Sequence, residues 1–157
     1  MRSQVGGGTN QAALLASVTG LVHGSWRNVD HEHGSGGERF FLPEGVCEMP
    51  AMTMSGRQAI ADGYAARRAA GDRVSRHLVS NLQVSEQEDS RIVARYALVL
   101  YAGHGFLPVP LELPQAVCDV EDTLVGYEDD LLIAHRRLEA VFVAEGNDSV
   151  MLRRRGS

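Results

Sequence analysis

The chain reads as an α+β protein, helices first and long antiparallel strands after. Three observations carry that reading. Apolar residues recur at helical spacing from Leu14 to Val29. From Ser75 onward the pattern changes to the two-residue alternation of strands. The last two such runs are joined by Tyr127-Glu128-Asp129-Asp130, a polar turn of the kind that closes a hairpin. With 157 residues, 44% of them hydrophobic, there is one domain's worth of chain and enough apolar surface for a real core. No internal repeat and no second domain are evident.

Residues 1–8 contain Gly6-Gly7-Gly8 and read as a flexible lead-in. They are not a phosphate loop, because no strand precedes them and no GK[ST] follows. The domain is expected to span 9–145. Its first helix starts at Thr9 or Asn10, either of which can cap it. Leu14, Val18, Leu21, Val22, Ser25 and Val29 form its inward stripe, widened by Leu15 and Trp26. The helix should run to about Asp30, which lies one turn from Trp26 on the same side. The helix dipole disfavours an acid at a C-terminus, so Asp30 has some other reason to be there. His31-Glu32-His33-Gly34-Ser35-Gly36-Gly37 follows as a loop. Adjacent residues on a glycine-rich loop do not preset a coordination geometry, so no metal site is expected.

Phe40, Phe41 and Leu42 make a short apolar run. Val46 to Met54 is predicted as a strand with Pro50 at an edge or bulge. Ser55-Gly56-Arg57-Gln58 fits a capping box, opening a second helix that turns Ile60 and Tyr64 inward and ends near Gly71. Ser75 to Val84 alternates as a strand. Leu78, Leu82 and Val84 share one parity; His77, Val79 and Asn81 share the other. A partly apolar face bearing an imidazole and a carboxamide suits the wall of a pocket. After a polar turn at 86–90, Arg91 to Ala102 is a long strand with Ile92, Ala94, Tyr96, Leu98 and Leu100 on one face. Val93, Ala97, Val99 and Tyr101 make its other face largely apolar too, so both faces are expected to be covered. Gly103 to Pro114, with three prolines, is a loop. Ala116 to Val125 and Leu131 to Val143 form the closing hairpin, with His135 as a surface or dimer-face histidine. Residues 146–157 are read as a tail.

Composition removes several classes of function. The net charge is −5, with acids and bases interspersed, so there is no nucleic-acid face. The run Arg153-Arg154-Arg155 ends the chain and reads as a frayed tail. Cys47 and Cys118 have neither CxxC nor zinc-ligand spacing, which points to reduced thiols in a cytoplasmic protein. No apolar run approaches the ~20 residues of a membrane span. Met1 to Gly8 lacks the apolar segment of a signal peptide.

Four pieces together resemble a known family: a first helix ending in Asp30, Phe40-Phe41 shortly after, Ser55-Gly56-Arg57-Gln58-Ala59-Ile60 at the second helix, and Arg76-His77-Leu78-Val79-Ser80-Asn81 opening a strand. The pattern is similar to the SnoaL-like branch of the nuclear transport factor 2-like superfamily, over roughly Gln11 to Val143. The resemblance implies a cone-shaped roll, a curved and mostly antiparallel sheet wrapped over N-terminal helices around one apolar pocket, and a homodimer. The layout also resembles scytalone dehydratase, whose pocket uses an Asp from the first helix and a His opening the strand. Asp30 and His77 stand at those positions. The second histidine of that enzyme's next strand has no match here: Tyr101 and Ala102 occupy the region, with His104 slightly beyond.

The chemistry of such a pair follows from general principles. An imidazole can take and give a proton near neutral pH, and a carboxylate within hydrogen-bond reach fixes its tautomer. In an apolar cavity the pair is suited to removing a proton α to a carbonyl, as in dehydration, double-bond isomerisation or cyclisation, with no cofactor. Tyr64, Tyr96 and Tyr101 are candidates to donate to a developing enolate. Trp26, Asn81, His104 and the methionines Met49, Met52 and Met54 are candidates to line the pocket. The expected ligand is a small apolar, aromatic or polyketide-like molecule. Two other classes compete with the enzyme reading. One is a binding protein without chemistry. The other is a structural subunit, since Val117 to Val143 resembles the small subunit of ring-hydroxylating dioxygenases.

Overall fold

The computed structural model describes residues 7–146. Of the expected lead-in and tail, only Gly7, Gly8 and Gly146 fall among them, and the three-arginine run lies outside. Helix α1 spans Gly7–His31, so it starts two residues before the expected cap at Thr9. A short 3-10 turn, Gly37–Phe40, leads into β1, Phe41–Met49. Then come β2, Met52–Ser55; α2, Arg57–Ala69; β3, Arg73–Glu86; β4, Ile92–His104; β5, Ala116–Tyr127; and β6, Asp130–Val143.

The six strands form one unclosed, curved sheet in the order β2-β1-β6-β5-β4-β3. Every neighbouring pair is antiparallel except β1 with β6. Val18, Val22, Trp26 and Val29 of α1 are buried together with Tyr96, Leu98, Val120, Leu124 and Ile133 from the inner faces of β4, β5 and β6. The α+β cone expected from the sequence is the observed architecture.

Four local expectations are corrected. The strand read as Val46 to Met54 is two strands, β1 and β2, paired antiparallel with Met49 opposite Met52. Pro50 and Ala51 make the turn between them, because a residue without an N–H cannot serve the ladder. The capping box does not form. Gly56 is the N-cap, at φ 85°, with no side-chain cap bond, and the Gln58 amide donates to Asp62 Oδ1 at 2.9 Å instead. On β4 the predicted inner face is buried, but Val93, Ala97, Val99 and Tyr101 on the opposite face are only half-buried. Among the described residues, the helices pack on the concave side of the sheet, and no helix packs on the convex side.

The fourth correction concerns β3. Ser80 pairs with Ala97 and Gln83 with Arg95, so Asn81 and Leu82 together oppose Tyr96. This is a β-bulge, and Asn81 sits in it at φ 56°, a left-handed conformation that asparagine tolerates better than most residues. The extra residue resets the alternation. Leu82 and Val84 pack on the core beside Val79, while Asn81 is exposed.

Candidate active site

The end of α1 and the start of β3 meet at Asp30. Its side chain is 5% exposed, and the carboxylate accepts three hydrogen bonds. Oδ2 accepts the backbone N–H of His77 at 2.7 Å. Oδ1 accepts the Ser75 hydroxyl at 2.8 Å and stands 2.6 Å from His77 Nδ1. Arg67 of α2 donates through Nη2 to Ser75 Oγ at 3.0 Å, which orients that hydroxyl toward Asp30. The other side of the imidazole is set by Trp26, whose ring stacks on it at 4.7 Å between centroids and 20° between planes.

Electrostatics fix the resting state of the pair. Burial opposes the Asp30 carboxylate, but the hydrogen bonds and charge of His77, with the Ser75 hydroxyl, outweigh it and hold its pKa below the ordinary value. For His77 burial dominates. Asp30 supports the imidazolium, Arg67 and Arg73 oppose it, and the net effect lowers its pKa from 6.5. The consistent state is an ionised Asp30 and a neutral His77 donating Nδ1–H to it. Nε2 is then left as the basic nitrogen.

His77 lines a cavity of about 970 Å³. Its apolar wall includes Trp26, Met49, Met52, Leu98, Leu100 and Leu138. Arg67, Arg73 and His104 bring positive or titratable groups to it, and Glu112 an exposed carboxylate. His104 is exposed, with Nδ1 2.9 Å from the carbonyl oxygen of Asp72.

The expected ligand contacts divide accordingly. Trp26 and His104 line the cavity with His77; Tyr64, Asn81, Tyr96 and Tyr101 do not. Tyr64 is buried beneath the glycine-rich loop, where a Cβ on Gly34 would run into its ring. Burial raises its pKa far above the ordinary tyrosine value. The bulge carries Asn81 to the outer surface, and Tyr101 falls on the outer parity of β4. Tyr96 is buried; its hydroxyl accepts Trp26 Nε1–H at 2.8 Å and donates to Asp122 Oδ2 at 3.0 Å. It therefore holds Trp26 rather than a ligand. Of the methionines, Met54 is core, against Gly63. His31 and His33 are exposed, and His135 is a half-buried partner of Glu48 at 3.2 Å.

Sequence reasoning missed the polar support beneath the site. Arg136, 1% exposed, forks onto Asp122, 0% exposed, with Nε to Oδ1 at 2.8 Å and Nη2 to Oδ2 at 2.7 Å. Its Nη2 also donates to Ser25 Oγ at 3.0 Å, and the guanidinium lies 4.4 Å from the Trp26 ring centroid. Burial works against the charge on Arg136, but Asp122 more than restores it. The signal was available. Asp122 shares the parity of Cys118, Val120 and Leu124, and the hairpin register sets it opposite Arg136.

The SnoaL-like domain model matches residues 11–137. The chain belongs to the SnoaL-like family. Among solved structures it is similar to a protein from Catenulispora acidiphila at 26% identity and a TM-score of 0.74, over 83% of this chain and 94% of that one. A structure from Catenulispora acidiphila in complex with S-DNPA is similar too, at 26% identity and a TM-score of 0.71, over 82% of this chain and 94% of that one. ActVI-ORFA from Streptomyces coelicolor shares the fold at 20% identity and a TM-score of 0.73, over 85% of this chain and 98% of that one. A candidate scytalone dehydratase from Novosphingobium aromaticivorans shares it at 14% identity and a TM-score of 0.73, over 94% and 96% of the two chains. No curated protein sequence matches.

Proposed function

We propose that this SnoaL-like protein is a cofactor-independent acid–base enzyme of the lyase or isomerase type. Its substrate is a small hydrophobic molecule, aromatic or polyketide-like, that carries a carbonyl or hydroxyl group. One observation carries the reading: a neutral imidazole, anchored through Nδ1 to a buried carboxylate, lines a large and mainly apolar cavity. Nε2 of His77 takes the proton α to the carbonyl. Asp30 stabilises the imidazolium as it forms, and the same nitrogen returns the proton to a leaving hydroxyl or a neighbouring carbon. Dehydration, double-bond isomerisation and cyclisation all use that cycle. The tyrosines are not assigned to it, since none lines the cavity. The Catenulispora relative, solved with a small molecule bound, supports a ligand-holding cavity. A homodimer belongs to the same reading: Leu78 and Phe142 stand 51% and 67% exposed, and sedimentation at micromolar concentration checks it.

The test is a thermal-shift screen of hydroxylated aromatic, polyketide-like and steroid-like compounds, followed by mass spectrometry of each hit with wild type, His77→Ala and Asp30→Asn. Losing general acid–base action costs about 10²–10⁴-fold in rate, and that loss is expected for His77→Ala with the fold intact. Asp30→Asn should cost less if Asp30 only orients the imidazole. Turnover that survives His77→Ala removes His77 from the reaction; a ligand bound but never changed makes the protein a binder.

A further inference from the structure

We infer that the cavity contains an anion subsite built from Arg67 and Arg73, and that the substrate is an apolar molecule bearing a carboxylate. The inference rests on the small-molecule reading above and narrows it.

Arg67 reaches the cavity from the last turns of α2, and Arg73 from the first residue of β3. Both are half-buried. Among the described residues neither guanidinium has an ion-pair partner within 4.0 Å. Arg67 makes one bond, to the neutral Ser75 hydroxyl. Nε of Arg73 is buried and has no acceptor among the described residues. Glu112, the carboxylate of the cavity wall, is exposed on the loop and paired with neither arginine.

Two like charges on one cavity wall, partly out of water, gain from an anion placed between them; Asp30 supports the charge of Arg67, but no carboxylate pairs with Arg73 among the described residues. Burial lowers the pKa of both, and Arg67 lowers that of Arg73 further. A carboxylate supplies what they lack, because its two oxygens match the guanidinium fork. The pair also lies close enough to His77 for both charges to disfavour its imidazolium. A bound carboxylate would cancel that field, so binding the substrate would itself make His77 a stronger base. The rest of the wall is apolar, which fixes the remainder of the ligand as a hydrophobic body.

The experiment is calorimetric titration of the full chain with size-matched pairs that need no turnover: benzoate and benzamide, 2-naphthoate and 2-naphthamide, 2-anthroate and its amide. At least one acid should bind about tenfold tighter than its amide, the scale of one charge-assisted hydrogen bond. The preference should shrink with added salt, fall to near parity in Arg73→Gln and Arg67→Gln, and persist in Arg73→Lys. It should also persist in His77→Gln, which separates this subsite from the catalytic reading. Thermal unfolding confirms that each variant is folded. Equal binding of acid and amide, binding of no acid, or a preference untouched by both glutamine variants overturns the subsite and leaves the role of His77 standing.

Discussion

Asp30 and His77 are each pushed away from their solution behaviour, and both shifts favour the same working state. The imidazole pKa lies below 6.5. The folded protein therefore resists a proton that the unfolded chain accepts, so stability contributed by the neutral ring falls as pH drops below about 6.5. The carboxylate pKa lies below 3.8, so its contribution persists through neutral pH and is lost only as pH falls through that lower value. For activity, kcat/KM should rise with pH along a single acid limb placed below the ordinary histidine range. Because Asp30 supports the imidazolium, Asp30→Asn should move that limb to lower pH still while slowing the reaction. A limb above pH 7 in the wild type contradicts a His77 base.

Among the elements, β3 decides which side chains reach the cavity. Its first residues aim Arg73, Ser75 and His77 at the site; the bulge at Asn81 then returns Leu82 and Val84 to the core. Asn81→Val forces a β-branched residue into a left-handed conformation and should cost about 1–2 kcal/mol in urea unfolding, whereas Asn81→Gly should be nearly neutral. An Asn81→Val protein as stable as wild type would mean the bulge is not required. This element also shows what could be read from sequence. The alternation Ser75, His77, Val79 was visible, and so was the inward face of β4. The bulge was not read, although the inward parity changes from Ser75, His77 and Val79 to Leu82 and Val84, because a change of parity does not say which residue is the extra one. The same limit hid the fates of Tyr64 and Tyr96. A buried tyrosine looks identical in sequence whether its hydroxyl faces a ligand or, as at Tyr96, bridges Trp26 and Asp122.

Across the whole molecule, the buried chain Ser25, Arg136, Asp122, Tyr96 and Trp26 ties α1 to three strands of the sheet. It fixes the ring that stacks on His77, so stability and site geometry share one support. Asp122→Ala leaves a fully buried guanidinium unpaired and should cost about 3–5 kcal/mol by chemical denaturation. Replacing Asp122 and Arg136 together by Leu and Met should cost less than Asp122→Ala alone, since no orphaned charge remains. A mild effect of Asp122→Ala would mean that water reaches Arg136. The sole tryptophan, Trp26, gives a fluorescence report of whether its surroundings loosen in these variants.

The state of His77 is open to direct measurement without any substrate, by ¹⁵N NMR of histidine-labelled protein titrated from pH 4 to 8. The account predicts a neutral ring at pH 7 with the proton on Nδ1 and Nε2 bare, and a titration midpoint below 6.5. In Asp30→Asn the midpoint should fall further. A ring protonated on both nitrogens at pH 7, or one carrying its proton on Nε2, would contradict it.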